Sequence, residues 1–124
     1  MILGIGIDLL DVARVARELE EDDRGLLPEF FTPAEIGYCS GKRYPARHYA
    51  ARIAAKEAFF KALGSSSPAN YWKDIEVVRG RDGPPYLVLS GPVKDAADQL
   101  GVKNIFLSLS HTDDMATASV ILEG

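Results

Sequence analysis

The sequence predicts an α+β fold, a single domain over residues 1–124 with a mainly antiparallel sheet and a long helix packed on it. Three observations carry that expectation. Strand-like alternation opens and closes the chain, a pair of short strands broken by Arg81, Asp82 and Gly83 lies between, and the run "AAKEAFFKALG" from Ala54 to Gly64 is rich in good helix formers. With 124 residues and 47% hydrophobic content the chain has the material for one real core.

From Ile2 to Leu10, alternation puts Leu3, Ile5, Ile7 and Leu9 on one face and Ile2, Gly4, Gly6 and Asp8 on the other. Glycines weaken a strand unless something must approach its backbone, so Gly4 and Gly6 imply a helix or ligand pressed against the face that carries Asp8. "DVARVARELEED" follows as a helix with Val12, Val15, Ala16 and Leu19 on its apolar stripe and Arg14, Arg17, Glu18 and Glu21 off it. In "FTPAEIGYC", Thr32 is an N-cap, Pro33 suits the first helical position and Glu35 completes a capping box. Ser40 to Tyr49 is the most basic stretch, with Lys42, Arg43, Arg47 and His48, and reads as the approach to a helix of about Ala50 to Leu63 that Gly64 stops. A polar loop, "SSSPANYW", leads to the hairpin "IEVVRGRDGPPYLVLSG" and the short helix "PVKDAADQLG". "NIFLSLSHTDDMATASVILE" then supplies two antiparallel strands around a polar turn from His111 to Asp114.

Totals narrow the function. A formal net charge of -4 argues against wholesale binding of nucleic acid or an anionic membrane, while leaving room for a local basic cluster that grips phosphate. The single cysteine, Cys39, forms no internal disulfide and reads as a small buried or half-buried thiol. "MILGIGIDLL" lacks a basic leader and meets Asp8 within one strand length, so it reads as neither signal peptide nor membrane span, and the expectation is a cytoplasmic protein.

The chemistry centres on charges among residues that want burial. Glu57 and Lys61 are one turn apart in the favourable orientation for a helical ion pair, which by itself is a bland arrangement. Asp8 changes the weighing, because a carboxylate beside two glycines in an apolar strand needs a cation or a metal. Two carboxylates from different elements, completed by water and phosphate oxygens, are a usual way to hold Mg2+ on a diphosphate, which makes Asp8 and Glu57 a candidate pair. Lys61 and Arg52 then serve to neutralise phosphate charge, and His111 offers a donor or a base at a strand end.

In five ordered blocks, "GIGIDLLDVARV", "FFTPAEIGYC", "RIAAKEAFFKALG", "DIEVVRGRDGPPYLVL" and "LSLSHTDDMATASVIL", the chain closely resembles the holo-[acyl-carrier-protein] synthases, the small group of 4'-phosphopantetheinyl transferases. The resemblance implies an enzyme of fatty acid biosynthesis that moves the 4'-phosphopantetheine arm of coenzyme A to a serine of an apo acyl carrier protein, with Mg2+, and releases adenosine 3',5'-bisphosphate. It implies metal ligation by Asp8 and Glu57, a phosphate-contacting Lys61, and coenzyme A contacts at Arg52, Gly64, Ser65 and His111. Lys42, Arg43 and Arg47 become candidates for the nucleotide's 3'-phosphate, and Arg14 with Arg17 for the acidic carrier. A homotrimer with active sites at subunit boundaries is likewise implied by the resemblance alone. The serine's proton has three candidate acceptors: Glu57 through a water, a metal-bound hydroxide, or His111.

One departure from the family pattern follows Gly64, where Ser65, Ser66, Ser67 and Pro68 stand in place of a Gly-Thr-Gly type turn, so loop contacts to phosphate differ there. Two other classes of function fit parts of the pattern. A docking module would use Arg14 and Arg17 but has no need of Asp8, Glu57, Lys61 and His111, and a Mg2+-dependent phosphohydrolase would use the same acids and lysine without making a carrier adduct.

Overall fold

The first strand is shaped by what lies against it. The structure is a computed structural model that describes residues 1–21, 27–64 and 71–124. In order, β1 (Ile2–Asp11) runs into α1 (Val12–Glu20), followed by α2 (Leu27–Phe30), α3 (Pro33–Ser40) and the long α4 (Pro45–Leu63). A 3-10 turn (Trp72–Asp74), β2 (Ile75–Arg79), β3 (Pro85–Leu89), α5 (Gly91–Leu100), β4 (Asn104–His111) and β5 (Met115–Glu123) complete the chain. The main sheet is antiparallel in the order β1-β5-β4, with Asp8 opposite Ala118 and His111 opposite Ala116, and β2 pairs with β3 in a separate hairpin.

Helix α4 lies along the inner face of this sheet. A Cβ on Gly4 would run into the carbonyl oxygen of Ala62, and one on Gly6 into that of Ala58, so the two glycines let strand and helix backbones touch. The spacings match, since two strand residues advance about 6.6 Å and four helical residues about 6 Å. Ala54, Ala55, Ala58 and Ala62 keep the helix thin enough to sit on Ala118, Val120 and Leu122, and Phe59, Ile75, Leu87 and Val93 fill the space behind it. A second cluster gathers Val12, Val15, Phe31, Cys39, Tyr49 and Ala51 under α1 and α3. Burial pushes the Cys39 thiol up to about 11, which agrees with its reading as a small buried thiol.

Several sequence expectations shift. The long helix begins at Pro45 rather than near Ala50, because Pro45 occupies its first turn, where the preset φ favours a helix and the missing N–H costs nothing. Arg47 and His48 are therefore helical. Asp11 is the cap of α1 rather than a part of it, its side chain accepting from the Ala13 N–H at 3.0 Å, and α1 stops at Glu20. The turn of the last hairpin narrows to Thr112–Asp114, with His111 still paired in β4. The capping box at Thr32 and Glu35 forms as expected. Helix α2, four residues long, was not expected, since so short an element leaves no periodic trace. Among the described residues no helix is long and apolar enough to cross a membrane.

Lys56 joins these layers from the middle of α4. At 1% exposure its ammonium donates to Glu35 Oε1 at 2.8 Å and to the carbonyls of Phe30 at 2.7 Å and Trp72 at 3.0 Å, so all three protons are used. Glu35 also accepts from the backbone N–H groups of Thr32 and Val77. Burial lowers the pKa of Lys56 and the Glu35 charge opposes that shift. The pair ties α3, α4 and β2 together.

Candidate active site

Two clusters of chemistry-bearing side chains emerge, on different faces of α4. In the first, β1 delivers Asp8 on the same face as Gly4 and Gly6, opposite the helix turn that carries Glu57 and Lys61. Both carboxylates line a cavity of about 990 Å³ that continues past Arg14, Val15, Glu18 and Leu19 of α1 to Phe30, Phe31, Ile53 and Trp72. Lys61 Nζ donates to Asp8 Oδ1 at 3.1 Å and to the Ile7 carbonyl at 3.0 Å. It thus turns to the strand, where the Asp8 carboxylate and the Ile7 carbonyl accept from it together, and it forms no ion pair with Glu57 among the described residues.

Glu57 holds its proton more readily than an ordinary glutamate. Burial raises its pKa first, the neighbouring Asp8 charge adds to that, and Lys61 opposes it. Asp8 Oδ2 is buried and has no hydrogen-bond partner among the described residues. An orphaned carboxylate oxygen beside a second carboxylate of raised pKa is a donor set that a divalent cation satisfies, removing both the desolvation and the like-charge costs. No three His, Cys, Asp or Glu side chains converge on a metal-sized site among the described residues, so a cation here would complete its shell with phosphate and water.

The second cluster occupies the opposite side. Arg52 lies five residues before Glu57, about 140° around the helix at about 100° per residue, and so cannot reach the cavity that Asp8 lines. Its Nη1 donates to the His48 carbonyl at 3.3 Å and its guanidinium rides on the Tyr38 ring. His111 sits ring to ring with His48, 5.7 Å between centroids. Arg47 pairs with Asp113 at 3.1 Å and covers the Tyr44 ring, which Arg43 also meets at 5.4 Å. Burial lowers the pKa of His48, with Arg52, His111, Lys42 and Arg79 adding to that effect.

The structure thus brings Asp8, Glu57 and Lys61 together and sets Arg52, Arg43, Arg47 and His111 apart from them; the expectation that Arg52 joins Lys61 at the carboxylates does not hold within one chain. Arg14 reaches the cavity rim but is engaged by Glu18 at 3.2 Å, and Arg17 is exposed on the next turn of α1. Gly64 caps α4 with φ 70°, a left-handed conformation that favours glycine. Ser65 and the rest of the serine run lie outside the described residues. Sequence reading passed over Tyr38 and the buried role of Lys56; the available signal was an aromatic ring four residues before Lys42 and a lysine flanked by Ala54, Ala55 and Ala58.

Residues 4–119 match the model of the 4'-phosphopantetheinyl transferase superfamily, and the chain belongs to that family. Within it, the chain is 48% identical over 124 residues to a holo-[acyl-carrier-protein] synthase of Clavibacter michiganensis subsp. michiganensis, covering 100% of this chain and 98% of that one. Its fold resembles the crystal structure of the Neisseria meningitidis holo-[acyl-carrier-protein] synthase with a TM-score of 0.89, 28% identity and full coverage of both chains. The Helicobacter pylori enzyme of the same name, solved in complex with coenzyme A, superposes with a TM-score of 0.80 at 28% identity, covering 96% of this chain and 99% of that one.

Proposed function

We propose that this chain is a phosphopantetheinyl transferase that uses coenzyme A as donor and an apo acyl carrier protein as acceptor. Family membership supports the class of reaction, and the observation that carries the site is the convergence of Asp8 and Glu57, one with an orphaned buried oxygen and the other with a raised pKa, in one cavity. These two side chains would hold Mg2+, which when bound supplies charge neutralisation for the donor's diphosphate. Lys61, bonded to Asp8, keeps Asp8 oriented and adds a cation beside the oxygens that gain charge as the reaction proceeds. The carrier serine loses its proton and its oxygen bonds to the β-phosphorus. The bond from that phosphorus to the bridging oxygen breaks, and adenosine 3',5'-bisphosphate leaves with the electron pair. Arg14 and Arg17 line the approach on α1 and suit an acidic carrier.

The division of the site residues favours a homotrimer whose active sites span subunit boundaries. In one chain the carboxylate pair and the cationic cluster face apart, so a donor that needs both finds them on two copies. The sheet's outer face supports this reading, because Ile5, Ile7, Leu9 and Phe106 are exposed there in a row no charged residue interrupts, Ile7 at 63%.

Incubation with coenzyme A, Mg2+ and an apo carrier, followed by intact-mass spectrometry, tests the reading. A carrier adduct of phosphopantetheine is expected, lost when Asp8 is replaced by Asn. Phosphopantetheine released without an adduct would instead identify a hydrolase.

A further inference from the structure

Gly6, Ile7 and Asp8, consecutive along β1, are each held by a different neighbour. Gly6 lies against the Ala58 carbonyl of α4, the Ile7 carbonyl accepts from Lys61 Nζ at 3.0 Å, and the Asp8 carbonyl accepts from the Thr117 hydroxyl at 2.8 Å. The last contact comes from β5, where the register sets Ala118 opposite Asp8 and Thr117 opposite Leu9, so the bond runs diagonally across the strand pair. A carbonyl oxygen has two lone pairs, which lets a side-chain hydroxyl add to a sheet ladder without replacing any of it.

Thr117 acts on the cavity only through this peptide. Ala116, Ala118, Val120 and Leu122 are the buried residues of β5, and Thr117 alternates with them, so its side chain stands on the face turned away from α4. The Asp8 carboxylate stands on the opposite face and lines the cavity with Glu57; its Oδ1 accepts from Lys61 at 3.1 Å, and its Oδ2 is buried without a partner among the described residues. An unpaired buried oxygen is costly, and an unrestrained strand would relieve the cost by turning that oxygen toward water. An aspartate has only two side-chain torsions, so the direction of Oδ2 follows the peptide that carries it. The Thr117 bond holds that peptide from one side of the sheet while the Gly6 contact holds the strand from the other.

We propose that Thr117 is a positioning residue for Asp8: its hydroxyl fixes the Asp8 peptide so that Oδ2 is kept ready for the cation that Asp8 and Glu57 share. The inference rests on the reading above that these two carboxylates take a divalent cation. Thr117 makes no contact with that cation, because the sheet lies between them.

Titration of Mn2+ into the complex with coenzyme A, corrected for coenzyme A alone and followed by electron paramagnetic resonance, tests this beside the Mg2+ dependence of transfer. Thr117→Val keeps the shape and removes only the hydroxyl. It should weaken Mn2+ binding about fivefold, which corresponds to about 1 kcal/mol or one neutral hydrogen bond, and raise the Mg2+ concentration for half-maximal transfer by the same factor, with the KM for the carrier unchanged. Thr117→Ser, which keeps the hydroxyl, should bind Mn2+ as the wild type does. Urea unfolding checks the fold of each variant, and Thr117→Ala gives the same readout should the valine chain fold poorly. A folded Thr117→Val chain that binds Mn2+ as tightly as wild type would overturn the proposal, and equal weakening in Thr117→Ser would trace the effect to the lost methyl group and overturn it as well. Wild-type Mn2+ binding that is absent, or that survives Asp8→Asn unchanged, would overturn the cation reading and this inference with it.

Discussion

Replacing Gly6 by Ala adds one methyl group at the point where β1 meets the backbone of α4. The new Cβ would clash with the Ala58 carbonyl oxygen, which the helical hydrogen-bond ladder holds in place, so the strand has to retreat instead. Overpacking of this kind costs about 1–3 kcal/mol, and here both sides of the clash are backbone, which puts the expected loss at the upper end. Function should suffer more than stability. Asp8 is two residues along the same strand, and a retreat of about 1 Å carries it from Lys61 and Glu57, a misplacement that costs roughly 10²-fold in rate. Urea unfolding followed by the fluorescence of Trp72, the single tryptophan, gives the stability loss, and the carrier-adduct assay gives the rate. Gly37→Ala is the control. A Cβ there meets nothing, and the change within α3 should be neutral or stabilise by up to about 1 kcal/mol. A Gly6→Ala chain as stable and as fast as wild type would refute the claim that close backbone contact positions Asp8.

Three further outcomes are expected. Lys56→Met should cost about 3–5 kcal/mol in urea unfolding, because it leaves Glu35 charged and buried without its partner. Glu57 has a raised pKa, so the folded chain binds its proton more readily than the unfolded chain and stability falls as pH rises through that pKa. Glu57→Gln should therefore raise Tm at pH 7 by calorimetry while abolishing transfer, and the acid limb of Mg2+ affinity in wild type should lie above the ordinary glutamate value of 4.5. Ile7→Glu, on the exposed apolar row, should convert a trimer to monomers in light scattering and remove activity with the fold intact by circular dichroism; a monomeric wild type would contradict the shared-site reading.

Much of this architecture is legible in the sequence. The strand–glycine pattern at Gly4 and Gly6 announced a close neighbour, and the capping box at Thr32 and the stop at Gly64 marked helix ends, because caps and close approaches are met by particular residues at fixed offsets. Pro45 was misread as part of the approach because a proline serves a turn or a first helical residue equally well, and only the packing of Tyr49 and Ala50 into the core selects the second.

By itself the sequence determined the α+β plan and, through five ordered blocks, the family, and it singled out Asp8 and Glu57 as a candidate pair. These rest on local chemistry and alternation, which spacing records. What only the tertiary structure decided is direction. It turned Lys61 to Asp8 instead of Glu57, sank Lys56 onto Glu35, and sent Arg52 to Tyr38 on the far side of α4. Such choices depend on which distant residue lies across a packed interface and on how much water each charge would lose, and neither is written in the spacing along one helix.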